Sequence, residues 1–291
     1  MFKGSIVALV TPMNEDGTID RVALKELIEW HIQSKTDAIV SAGTTGECAT
    51  LEPDEQFELI RLTVEYVAGR IPVIAGTGTN STRTTIKHSE NAKRAGVDAC
   101  LIVTPYYNKP TQNGLFQHYK TIAEKIALPI IIYNVPSRTA CDILPETIER
   151  LAKIPNIIGI KEATGKLERA TEILQRCGNS FEIYSGDDAT AMELMLNGAH
   201  GVISVTANVA PLKMHDMCEA ALSGNRTLAE KINSELALLH HRLFLESNPI
   251  PTKWALYAMG KIKPGIRMPL LPLDSKYHEE VKEAMQNAGV D

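Results

Sequence analysis

The chain carries none of the spacings that would name a metal or a nucleotide. None of its eight histidines falls in an HExxH pattern, and His240-His241 is an adjacent pair whose rings leave a helix on different faces, as surface or packing residues do. No Walker A pattern occurs. Gly76-Thr77-Gly78-Thr79-Asn80-Ser81 starts like a dinucleotide fingerprint but has Ser81 where the last glycine belongs, which excludes that site. The five cysteines, Cys48, Cys100, Cys141, Cys177 and Cys218, are odd in number and scattered without zinc spacing. They point to reduced thiols in a cytoplasm rather than to a disulfide framework. There is no run of Lys/Arg and no RNA-binding signature, and a net charge of −5 leaves no electrostatic footprint for nucleic acid. No apolar run approaches the roughly 20 residues of a membrane helix. The apolar part of Met1–Val7 is too short for a signal peptide. The expectation is a cytoplasmic protein with no cofactor, no metal, no nucleic-acid partner and no membrane contact.

What is present is an ordinary globular balance, 44% hydrophobic and 22% charged over 291 residues, enough for a large core. Short apolar runs alternate with amphipathic segments. Strands are expected at Ser5–Val10, Ala38–Ser41, Pro72–Ala75, Ala99–Val103, Pro129–Tyr133, Ile157–Lys161, Glu182–Ser185 and Gly201–Ser204. Helices are expected at Arg21–Gln33, Asp54–Val67, Thr82–Ala95, Gly114–Ile126, Pro145–Ala152, Leu167–Arg176, Ala189–Leu196 and Pro211–Leu222. Eight such units, repeating at about 20 to 35 residues, predict a (β/α)8 TIM barrel. Asp54 and Asp188 are candidate helix caps, and Gly69, Gly96 and Gly198 candidate helix ends. A doubly wound sheet is the alternative, but the first loop, Thr11–Gly17, lacks the glycine motif that it needs. Three more helical stretches follow, Arg226–Leu245, Pro249–Met259 and Lys276–Ala288. The expected organisation is a catalytic barrel over 1–224 and a C-terminal helical extension over 225–291.

Barrel enzymes carry their chemistry at strand C-termini, and those positions hold a coherent set. The sixth strand ends in Lys161. An amine inside apolar walls loses solvation, so its pKa falls and it becomes a nucleophile able to form a Schiff base with a ketone. The second strand is followed by Gly43-Thr44-Thr45-Gly46-Glu47, whose hydroxyls and N–H groups suit a carboxylate or phosphate. The fourth gives Tyr106-Tyr107 in a Pro-bounded loop. The fifth ends in Tyr133, a phenol placed to move protons, followed by Arg138, a fork for a carboxylate. Gly186 permits close ligand approach, and Ile203 faces the interior. Taken singly, these residues also fit blander roles: a lysine reaching solvent, an arginine in a surface ion pair, tyrosines in packing. Together they suit a cofactor-independent Schiff-base aldolase or synthase acting on a 2-oxo acid.

At Gly43–Glu47, Thr104–Asn108, Tyr133–Thr139, Gly159–Ala163 and Ser185–Asp188 the sequence closely resembles the 4-hydroxy-tetrahydrodipicolinate synthase (dihydrodipicolinate synthase) family, within the N-acetylneuraminate lyase superfamily, over essentially the whole chain. The resemblance implies a lyase of the diaminopimelate route to L-lysine, condensing pyruvate with L-aspartate 4-semialdehyde. It implies Lys161 as the Schiff-base lysine and Tyr133 as proton donor and acceptor, linked through Thr44 to Tyr107 of a neighbouring subunit. Thr45 and Ile203 would lie against pyruvate, Thr45 on its carboxylate, Arg138 would hold the semialdehyde carboxylate, and Gly186 is a further expected substrate-binding residue. A homotetramer built as a dimer of dimers is implied. Regulated relatives bind L-lysine at the dimer interface, where this chain keeps Ala49, Asn80 and Tyr106 but departs at Cys48, Pro53, Gln56 and Thr84. Lysine feedback is therefore expected to be weak or absent. The rival readings are an N-acetylneuraminate lyase or 2-keto-3-deoxy sugar-acid aldolase, and a catalytically silent barrel that binds a 2-oxo acid.

Overall fold

The computed structural model describes residues 2–290; Met1 and Asp291, the outer ends of the two expected units, lie outside the described residues. Eight parallel strands close into a barrel in sequence order: β1 (Gly4–Ala8), β2 (Ala38–Ser41), β3 (Val73–Gly76), β4 (Ala99–Val103), β5 (Ile130–Asn134), β6 (Ile157–Glu162), β7 (Glu182–Ser185) and β8 (Gly201–Ser204), with β8 returning to β1. The strands read as continuous apolar runs because both of their faces are buried. Alternate residues divide between two cores. Ile6, Val40, Ile74, Leu101, Ile131, Tyr133, Tyr184 and Ile203 fill the barrel. Val7, Ile39, Cys100, Ile102, Ile132, Ile160 and Val202 face the surrounding helices.

Those helices are α1 (Arg21–Gln33), α2 (Pro53–Val67), α3 (Thr82–Ala95), α4 (Gln112–Lys125), α5 (Pro136–Thr139), α6 (Pro145–Leu151), α7 (Leu167–Cys177), α8 (Asp188–Leu196) and α9 (Pro211–Leu222), followed by α10 (Arg226–Arg242), α11 (Ile250–Ala258) and α12 (His278–Asn287). No helix among the described residues is long and apolar enough to cross a membrane.

Several local expectations are corrected. Glu52, not Asp54, caps α2, in a reciprocal capping box with Glu55; Pro53 takes the first helical position, where its missing N–H is harmless. Asp187, not Asp188, caps α8, through Thr190 N–H. Of the three expected glycines, only Gly96 is itself a helix cap, at φ +89°; Ala68 and Asn197 cap the other two helices and Gly69 and Gly198 follow them. Pro72 and Pro129 precede their strands rather than opening them. The helix α10 stops at Arg242, three residues short of expectation, and α12 begins only after a separate 3-10 turn at Ser275–Tyr277. The early stop of α10 matters for the site, because it releases the chain before α11 to run across the barrel mouth.

Candidate active site

Strand register builds the centre of the site. On β5 and β6, Tyr133 lies opposite Lys161, and on β6 and β7, Lys161 lies opposite Tyr184. Residues opposite one another on adjacent strands share a face, so these side chains all enter the barrel. Lys161 is only 6% exposed, and its Nζ sits 4.3 Å from the centroid of the Tyr133 ring. Among the described residues its amine forms no hydrogen bond or ion pair. Burial pulls its pKa down to about 8; the buried carboxylate of Asp188 opposes the shift and the Arg138 cation adds to it. Burial pushes the Tyr133 phenol up to about 12, against the pull of Arg138 and of the neighbouring Thr44 hydroxyl.

Gly186 makes room for the lysine, and Gly159 for the close approach of β7. A Cβ on Gly186 would stand 3.0 Å from Lys161 Cε and 2.5 Å from Ala163 Cβ. One on Gly159 would stand 2.4 Å from the Glu182 carbonyl oxygen. Both contacts are closer than packed carbon tolerates, so a side chain at either position would displace a strand end.

The loop after β2 is held in an unusual shape. Ala42 and Glu47, at its two ends, have φ of +54° and +57°, a region that non-glycine residues adopt rarely and at a cost. Between them Thr45 is buried and Thr44 half-buried. Thr11 Oγ1 donates to the Gly46 carbonyl at 2.7 Å, and Glu47 is ion-paired with buried Lys253 and accepts from Arg267 N–H at 3.1 Å. The strain of the loop is thus offset by contacts from the far end of the chain.

These elements surround a cavity of about 1040 Å³ at the C-terminal end of the barrel, walled by Lys161, Tyr133, Thr44, Thr45, Arg138 and Gly186 among others. That is room for two small substrates at once. Arg138 stands on α5, a one-turn helix that sequence periodicity did not reveal, and its Nη2 donates to the Asn248 carbonyl at 3.2 Å.

Other expected residues lie elsewhere. Ile203 is buried in the barrel core, not on the cavity wall. Tyr107 is 88% exposed, at φ +73°, and also off the wall. Ala49 and Tyr106 are exposed and Asn80 is half-buried, its carbonyl accepting from Asn108 Nδ2 at 2.8 Å. Of the departures, Cys48 joins the cavity wall, Gln56 Nε2 donates to the Gly76 carbonyl at 2.8 Å, and Thr84 Oγ1 is spent on Ser81 at 3.0 Å.

Sequence reading missed the wall residues supplied by the segment after the barrel, His240, Phe244 and Asn248 among them. Asn248 falls between the expected helices Arg226–Leu245 and Pro249–Met259 and carries no motif. Sequence reading also reduced Asp188 to a cap; its Oδ2 accepts from Val205 and Thr206 N–H, each at 2.9 Å, tying the β7 loop to the β8 loop.

Known proteins with this arrangement are numerous. The profile of the Dihydrodipicolinate synthetase family matches residues 1–288. The 4-hydroxy-tetrahydrodipicolinate synthase of Thioalkalivibrio sulfidiphilus is 60% identical over 290 residues, covering 100% of this chain and 99% of that one. Its namesake from Pseudomonas aeruginosa is 58% identical with the same coverage. Among solved structures, the chloride-inhibited dihydrodipicolinate synthase of Acinetobacter baumannii, complexed with pyruvate, is 52% identical, covers 100% of both chains and superposes with a TM-score of 0.99. Barrel, strand-end lysine and full-length similarity lead to one conclusion: the chain belongs to the dihydrodipicolinate synthetase family.

Proposed function

We propose that this chain catalyses the reaction for which its relatives are named, 4-hydroxy-tetrahydrodipicolinate synthesis, by condensing pyruvate with L-aspartate 4-semialdehyde on Lys161, in the diaminopimelate route to L-lysine. The observation that carries the reading is a buried amine with a pKa near 8, free of any ion pair among the described residues, at the same register as a phenol. Near neutral pH a useful fraction of such an amine is unprotonated, unlike a surface lysine at about 10.4. The amine adds to the pyruvate ketone, the carbinolamine loses water, and the resulting iminium draws electrons from the adjacent methyl to give an enamine. The enamine carbon attacks the semialdehyde carbon, which restores the iminium; the semialdehyde's own amine then adds to the iminium carbon, closing the ring and expelling the free Lys161 amine.

Tyr133 supplies the protons. A phenol held near 12 stays protonated, so it donates to the departing hydroxyl and recovers its proton through Thr44. Tyr107 from a second copy of the chain completes the relay on this reading, which fits its exposure in the single chain and favours a dimer or a dimer of dimers. Thr45 and Gly186 receive pyruvate and Ile203 backs it from the core. Arg138 takes the semialdehyde carboxylate, as a guanidinium does bidentately. No metal or cofactor enters the scheme.

Borohydride reduction with pyruvate present is expected to leave a covalent adduct on the Lys161 peptide, read by mass. Absence of the adduct would refute the Schiff base. Turnover with aspartate semialdehyde, and none with sugar aldehydes, then separates the synthase from a sugar-acid aldolase.

A further inference from the structure

Asn248 is the residue of the C-terminal segment that touches two of the assigned substrate anchors. It is buried, and its Nδ2 donates to Thr45 Oγ1 at 2.9 Å. Its carbonyl oxygen accepts from Arg138 Nη2 at 3.2 Å. Its own Oδ1 accepts from Thr252 Oγ1 at 3.3 Å, so both polar atoms of the amide are engaged. Building on the function proposed above, we infer that Asn248 is a positioning residue: its amide sets the polarity of Thr45 for the pyruvate carboxylate, while its carbonyl sets the place of Arg138 for the second carboxylate.

The physical reason lies in what each group can do. A threonine hydroxyl has one proton to donate and two lone pairs to accept with. Left alone in a buried loop, it spends that proton on the nearest backbone carbonyl. An amide NH2 can only donate, so Thr45 facing Asn248 Nδ2 must accept. The Thr45 proton is then left for a ligand, and the ligand that needs it is an anion. A hydrogen bond to a charged acceptor is among the stronger ones, and buried surroundings strengthen it further. The two contacts of Asn248 are of different kinds. The one to Thr45 runs through the side chain and the one to Arg138 through the main chain. A side-chain substitution therefore removes the first and keeps the second.

Asn248→Asp replaces the donor by an acceptor of nearly the same shape. The new carboxylate captures the Thr45 proton and repels pyruvate. The expected result is a rise of about ten- to a hundredfold in KM for pyruvate, with KM for aspartate semialdehyde and kcat within about threefold of the native enzyme. Asn248→Ala, which removes the donor without adding charge, is expected to raise the pyruvate KM less, and it stands in if the Asp variant does not fold. With Thr45→Ala as background, Asn248→Asp should add much less than it does alone, because the two residues act as one unit.

Equal rises in both KM values with a lowered Tm would show a merely structural loop contact and overturn the inference. So would an unchanged pyruvate KM in both variants. Borohydride trapping of the native enzyme with pyruvate keeps the two levels apart. A native enzyme that forms no adduct refutes the proposed function, whereas a native enzyme that does, beside variants with unaltered pyruvate KM, refutes the role of Asn248 alone.

Discussion

Among the described residues two lysines are buried, and their surroundings assign them opposite tasks. Lys161 and Lys253 are 6% and 4% exposed, and in both the loss of solvent is the main force lowering the pKa. Lys253, on α11, is ion-paired with Glu47, itself buried. Lys161 has apolar walls, a tyrosine ring and a carboxylate that acts on it without pairing. A buried cation with a partner is a structural tie; one without a partner gives up its proton and becomes a reagent. Burial alone therefore does not make a lysine reactive. Burial without a counter-ion does.

The comparison can be broken in several places. The largest effect is expected from Lys161→Met, which should lose the pyruvate adduct and at least about 10⁴-fold in turnover, while Lys253→Met should still form the adduct. Next, Glu47→Gln leaves Lys253 buried without its counter-ion. Removing one member of such a pair costs about 3–5 kcal/mol, read as a fall in Tm and in the denaturant midpoint. Replacing both members together by Leu and Met should recover most of that loss.

The third effect has the opposite sign. The folded pKa of Lys161 is about 8, below its ordinary 10.5. Between those values the unfolded chain binds more protons, so this group's contribution to stability rises with pH, and its cost is fullest below pH 8. Lys161→Met removes that cost and should be more stable than the native protein by about 3 kcal/mol below pH 8. The advantage should fade between pH 8 and 10.5, and denaturant titration across that range checks it.

A smaller effect follows from Arg138, whose cation helps to lower the Lys161 pKa. Native adduct formation should climb with pH and level off near 8, since only the neutral amine attacks. In Arg138→Ala that inflection should move upward by less than about one unit, and the semialdehyde KM should suffer far more than pyruvate trapping; equal loss of both would contradict the role given to Arg138. The smallest effect concerns a third ammonium, that of free L-lysine. Gln56 is committed to a backbone carbonyl and Thr84 offers no carboxylate, so neither residue supplies a lysine effector with a counter-ion. Inhibition by L-lysine should be weak in a steady-state assay, and near-complete inhibition at submillimolar lysine would refute this.

The contrast also explains what was legible in the sequence. Lys161 and Tyr133 could be placed because strand-end position follows from local periodicity, and the eight-fold repeat then turns strand ends into a barrel mouth. Arg138 was legible as a loop residue, though its short helix was not. Asn248 and Lys253 were not legible as site residues. Their partners, Thr45 and Glu47, lie 203 and 206 residues away in sequence, and no local pattern encodes an encounter at that distance. The α2 and α8 caps were misassigned for a simpler reason: neighbouring acidic residues offered two choices, and only backbone dihedrals decide between them.

The tie between Glu47 and Lys253 has a consequence for the order in which the chain becomes functional. All eight strands have been synthesised by Ser204, and domains tend to fold from the N-terminus as they emerge from the ribosome. The loop that holds Thr44 and Thr45 nevertheless waits for residues 248, 253 and 267 before its buried carboxylate is neutralised and its hydroxyl is oriented. A nascent barrel released at residue 224 would own the reactive amine and lack the finished loop. The segment after the barrel thus finishes a loop that the eight strands alone leave incomplete.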